Sequence, residues 1–141
     1  MIAVHLINIM VVALVVLIHY EFLYQLSSRL PRLKLKHRFR VVLGVFGVLL
    51  AHVTEIWMFA FCYYLMHHAE GWGRLAGNFD GSLVDCSYFS FTTFTTLGFG
   101  DIEPIGELRF LTGIESLTGL VLITWTASFL YYEMQRDWGG N

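Results

Sequence analysis

Thr95-Thr96-Leu97-Gly98-Phe99-Gly100-Asp101 is the stretch on which the fold turns. Gly98 and Gly100 reach backbone dihedrals that other residues adopt only at a cost, so the stretch reads as non-helical backbone with a special path. Working outward toward the N-terminus, Ser82 and Asp85 have the spacing of a capping box, with Asp in place of the usual Glu or Gln. They predict a short helix from about Leu83 to Thr95, with Tyr88, Phe89, Phe91 and Phe94 as its bulky residues. At about 1.5 Å per residue it spans roughly 20 Å, too short to cross a bilayer, so it must enter and turn back. Residues 67–81, with glycines at 71, 73, 77 and 81, read as a loop.

Farther out, the chain is apolar. Of its 141 residues, 56% are hydrophobic and 14% charged, against roughly 25% charged in soluble domains. Apolar runs cover about Ile2–Leu23, Val41–Met66 and Leu108–Met134. Each is long enough for the ~30 Å hydrocarbon core, which about 20 helical residues cross. Six of the nine Lys and Arg residues lie between Arg29 and Arg40, between the first two runs. As a short loop between spans, this basic segment reads as an orientation signal, not a nucleic-acid patch, and belongs in the cytoplasm. The N-terminus is then outside, the segment from His67 to Glu107 starts and ends outside, and the tail after Met134 is cytoplasmic. The N-terminus lacks the charged region and cleavage site of a signal peptide. Cys62 and Cys86 have no close spacing partner and indicate neither a metal motif nor a disulfide.

Irregular backbone survives at membrane depth only where protein buries it or it lines a watery path. An ion leaving water needs its hydration oxygens replaced, and rings of backbone carbonyls do this without burying net charge. Gly98 and Gly100 permit consecutive carbonyls to aim one way, Thr96 adds a hydroxyl oxygen, and Leu97 and Phe99 are expected to point away and pack against the short helix.

With its flanking spans, TTLGFGD resembles the signature of the potassium channel pore-domain family, T-V-G-Y-G followed by Asp. SYFSFTTF precedes it, and Pro104 and a third span follow. The resemblance covers about Val41–Met134 and implies an all-α membrane protein: three transmembrane helices, a re-entrant pore helix and a filter loop, assembled as a homotetramer in the cell membrane. Together with the apolar and basic runs, it divides the chain into an N-terminal helix (1–26), a basic linker (27–40), a pore domain (41–134) and a tail (135–141). Within the pore domain lie an outer helix (41–66), a turret (67–81), a pore helix (82–95), a filter (96–101) and an inner helix (107–134). It implies K+ at Thr96, Leu97, Gly98, Phe99 and Gly100, an acidic outer mouth at Asp101, and no cofactor or enzymatic activity. Gly119 falls where relatives have a hinge glycine; close helix packing is the alternative. Leu120, Ile123, Ala127 and Tyr131 are expected to line the inner path. Leu97 replaces the common Val and Phe99 the common Tyr, whose hydroxyl often bonds the pore helix. A weakly selective monovalent cation channel and a non-conducting accessory subunit are the alternatives. The first span lacks repeated arginines, so no voltage sensor is evident.

His52, Glu55 and Glu115 are ionisable residues at membrane depth, a functional flag by default. His52 and Glu55 share a helix face, and Glu115 is expected to join them in one cluster able to respond to pH, or else serving structure alone. His5, His19, His67 and His68 are read near helix ends at interfacial levels, without the facing pattern of a haem-binding bundle.

Overall fold

The computed structural model describes residues 2–139. Met1 and the end of the expected tail, Gly140 and Asn141, lie outside the described residues. The elements are α1 (Ile2–Arg29), a 3-10 turn (Leu30–Arg32), α2 (His37–His68), β1 (Arg74–Gly77), α3 (Leu83–Phe94), β2 (Ile102–Ile105) and α4 (Leu108–Trp138). Among the described residues, three helical stretches are long and apolar enough to cross a membrane: Ile2–Arg32, His37–His68 and Leu108–Arg136. The chain is an all-α, multi-pass membrane protein with one small two-stranded ribbon.

The helices outrun the apolar runs that announced them. α1 continues to Arg29 and α2 begins at His37, so the basic linker expected over 27–40 shrinks to a turn with Pro31 in its opening. Basic side chains are good helix formers and snorkel from a span end, so hydropathy places helix ends too early. α4 likewise runs to Trp138, into the expected tail. Gly44 and Gly47 let this end close: an added Cβ on Gly47 would lie 2.4 Å from Leu26, and one on Gly44 3.3 Å from Leu30. Glu133 of α4, accepting from Ser27 of α1 and paired with Arg136, ties the same end.

α1 and α3 both pack against α2 and α4. Phe59, Tyr63 and Met66 of α2, Phe94 of α3 and Leu108, Leu111 and Leu122 of α4 are the large, fully enclosed side chains of this core. Leu6, Met10, Leu14 and Leu17 of α1 face outward, as lipid contact requires.

The expected turret contains a strand. β1 pairs antiparallel with β2, Arg74 opposite Ile105 and Gly77 opposite Ile102. Gly77, at φ +101°, is pressed against the Asp101 carbonyl, 2.3 Å from where a Cβ would stand. Asn78 N–H donates to that same carbonyl at 2.8 Å, and Leu75 N–H to His67 Nδ1 at 3.1 Å. The ribbon thereby straps the loop after α3 to the end of α2.

Candidate functional site

The site begins with how α3 starts. Ser82 is its N-cap, its hydroxyl accepting from Asp85 N–H at 3.1 Å. The reciprocal arm differs from a standard capping box: the Asp85 carboxylate accepts from Asp80 N–H, two residues before the cap, and Asp80 accepts from Ser82 N–H. These bonds hold the Asp80 carboxyl below its ordinary range, with the Ser82 side chain the largest influence.

How α3 ends decides the loop. Three carbonyls left over at its last turn are met in turn: Phe91 O by Thr95 N–H, Thr93 O by Thr96 N–H, and Thr92 O by Gly98 N–H at 3.0 Å. Ser116 of α4 also donates to Thr93 O. The chain therefore folds back over the helix terminus and does not leave it.

Thr96, Gly98 and Gly100 have φ of 58°, 54° and 79°, whereas Leu97 and Phe99 stay at negative φ. Alternation of positive and negative φ is a backbone pattern that can turn successive carbonyls to one side. Thr96 is the one described non-glycine residue at positive φ, a costly conformation that clusters at functional sites. Behind the loop lies a cavity of about 350 Å³, lined by Thr92, Thr93, Gly98, Gly100, Thr112 and Ser116 among others.

Phe99 stacks on Tyr88 of α3, ring centres 6.4 Å apart and planes 8° apart. Leu97 and Phe99 are 60% and 65% exposed on a single chain. Tyr88 donates its hydroxyl to Asp101 Oδ2 at 2.9 Å, which raises the phenol above its ordinary value. Tyr88 read in the sequence only as a bulky helix residue; its position three residues from Phe91 and six from Phe94 gave no sign of a partner beyond the loop.

Gly119 supplies close packing. A Cβ there would lie 2.0 Å from the Phe94 carbonyl oxygen, and α4 runs through it without a break. The hinge expectation gains nothing from this geometry. Leu120, Ile123, Ala127 and Tyr131 are exposed on one side of α4.

The expected single polar cluster divides in two. His52 Nδ1 and His19 Nδ1 lie 2.9 and 2.8 Å from the two Glu55 oxygens, and both Nε2 atoms face Thr126 Oγ1. Glu115 belongs elsewhere: Tyr63 and Ser90 donate to its carboxylate, with Thr112 and the Ile56 carbonyl alongside. Helix twist separates them, for Glu55 and Tyr63 point to different neighbours of α2. His19, read as interfacial, is wholly buried.

Three apolar helices thus cradle a short fourth helix and a loop whose φ alternates in sign. A sequence profile described as "ion channel" matches residues 51–136. The chain belongs to this ion channel family and is not an enzyme. Over 61 residues it is 36% identical to the inward rectifier potassium channel Kirbac3.1 of Paramagnetospirillum magnetotacticum, covering 43% of this chain and 21% of that protein. The chain thus spans about a fifth of that relative's length. No solved structure matches it.

Proposed function

We propose that four copies of this chain surround one axis and conduct K+ selectively through stacked rings of carbonyls from Thr96, Leu97, Gly98, Phe99 and Gly100. The alternating sign of φ over Thr96–Gly100 carries the reading. One loop cannot surround an ion, and Leu97 and Phe99 stand uncovered on a single chain; both point to neighbours closing the ring. Similarity to an inward rectifier potassium channel supports the choice of ion. The C-terminus of α3, the negative end of its dipole, faces the inner end of the loop and favours a cation there. Asp101 makes the outer mouth acidic. The basic turn between α1 and α2 stays cytoplasmic, so the N-terminus lies outside, the ribbon outside and the C-terminus inside.

The exposed Leu97 and the absent Phe99 hydroxyl favour a second reading, a looser filter that admits Na+. Purified chain in potassium-loaded liposomes separates the readings. K+ flux far above Na+ flux, lost in Gly100→Ala, is expected. Comparable fluxes identify the weakly selective channel, and no flux identifies a non-conducting accessory subunit.

A further inference from the structure

His19, His52 and Glu55 offer two nitrogens and an oxygen within 4.8 Å of one another, at the junction of α1, α2 and α4. His19 and Glu55 are fully buried and the His52 side chain is 14% exposed. Trp125 packs 5.2 Å from the His19 ring and Phe94 5.7 Å from the His52 ring, so an apolar shell encloses the polar atoms. A carboxylate in such surroundings is paired with a cation or neutralised by a proton.

Counting hydrogens sharpens the requirement. With both imidazoles neutral and both Nδ1–H groups donating to Glu55, each Nε2 is an acceptor. Thr126 has one hydroxyl proton for two of them, at 3.4 and 3.0 Å, so one buried nitrogen lacks a donor. Moving each Nδ1 proton to Nε2 frees both Nδ1 lone pairs for a metal ion, whereas an extra proton on one histidine is the metal-free way to meet the same need. Both Nδ1 atoms and a Glu55 oxygen ligate the ion, both Nε2–H groups donate to the two lone pairs of Thr126 Oγ1, and each tautomer is fixed. A hydrogen-bonded partner on the far nitrogen is the usual outer support of a histidine ligand.

We propose that His19, His52 and Glu55 bind a divalent metal of the zinc type within the membrane, with Thr126 as the outer-shell acceptor. Two imidazoles and a carboxylate suit zinc, whose bonds of about 2.0–2.2 Å place tetrahedral ligand atoms about 3.4 Å apart. The present separations of 2.8 and 2.9 Å between Nδ1 and carboxylate need to open by about half an ångström to reach that spacing. The fourth position falls on the His52 side, where His52 and Thr126 line an apolar cavity of about 430 Å³. A hydroxide there cancels the charge that one carboxylate leaves. The ion clamps α1, which lies outside the family match at 51–136, onto the helices that carry the loop.

The test is zinc retention by the 141-residue chain in detergent. After zinc loading and exhaustive dialysis, elemental analysis is expected to give on the order of one zinc per chain, and X-ray absorption a nitrogen and oxygen shell at about 2.0–2.1 Å. His19→Gln and Glu55→Gln are expected to lose the ion while circular dichroism reports unchanged helicity. Thr126→Val keeps all three ligands, so folding does not confound it, and is expected to bind zinc about tenfold or more weakly. Wild-type chain that retains no zinc overturns the proposal, and the cluster then holds a proton on one histidine instead. Zinc retained equally by His19→Gln also overturns it, as does undiminished affinity in Thr126→Val.

Discussion

The Tyr88 hydroxyl spans from α3 to the Asp101 carboxylate at 2.9 Å, while the Tyr88 ring lies flat against Phe99. One side chain thus holds the outer end of the loop twice, by a hydrogen bond and by stacking. Phe99 lacks the hydroxyl that tethers the corresponding tyrosine of many relatives, and Tyr88 supplies a tether from the opposite partner.

Tyr88→Phe keeps the stack and removes the bond. Its expected effect is a several-fold fall in the K+/Na+ flux ratio in liposomes, with helicity unchanged. Asp101→Asn, which leaves an acceptor, should fall less. The bond raises the Tyr88 phenol. Its contribution is therefore complete below the unfolded tyrosine value of about 10 and is lost as pH rises through the higher folded value. The wild type and Tyr88→Phe should differ equally at neutral and mildly alkaline pH and converge in strong alkali. A flux ratio indifferent to Tyr88→Phe would show that the tether does not hold the loop.

The Ser82 cap makes a second prediction. Ser82→Ala should cost about 1 kcal/mol, read as a lower midpoint of thermal unfolding in detergent. Asp80 adds a pH signature. Its carboxyl is held below the ordinary value by Ser82, so its contribution is present above the unfolded aspartate value of about 3.9 and fades as pH falls through the lower folded value. The difference in midpoint between wild type and Asp80→Asn should be constant above about pH 5 and shrink below about pH 4.

Two glycines of α4 separate packing from propensity. At Gly119 a Cβ would meet the Phe94 carbonyl oxygen at 2.0 Å, and backbone cannot step aside as a side chain can. Gly119→Ala should cost about 3 kcal/mol through overpacking and displace the end of α3. At Gly113 nothing lies within 4 Å. Gly113→Ala should leave the unfolding midpoint unchanged or raise it, by at most about 1 kcal/mol of helix propensity. A Gly119→Ala protein of full stability would reopen the hinge as the reason for this glycine.

Spans, the short helix and its cap were legible because each is a local pattern: an apolar run, a Ser82–Asp85 spacing, a glycine pair. The β1–β2 ribbon was not, because its four-residue strands are separated by α3 and the loop, and neither strand is long enough to show a period. His19 was misread for a related reason. Its partner Glu55 is 36 residues away on another helix, a contact no spacing announces. The same blindness merged Glu55 and Glu115, which share no hydrogen-bonding side chain.

That division yields the last prediction. Glu115 is buried, with Ser90 and Tyr63 donating to it. Both donors have second acceptors in reach, Ile56 O for Ser90 and Thr112 Oγ1 for Tyr63. Glu115→Leu should therefore cost about 1–2 kcal/mol, since its partners are not left wholly unpaired, and Glu115→Gln, which keeps an acceptor, should cost less. Double-mutant cycles in thermal unfolding give the sharper measurement. Glu115→Gln with Ser90→Ala should couple by about 1 kcal/mol or more, as residues in one network do. Glu115→Gln with Glu55→Gln should add to within about 0.5 kcal/mol, because no side chain bonds to both. Strong coupling of the two glutamates would mean that a single network runs through α2, and that a change at the α1 junction reaches the helix beneath the loop directly.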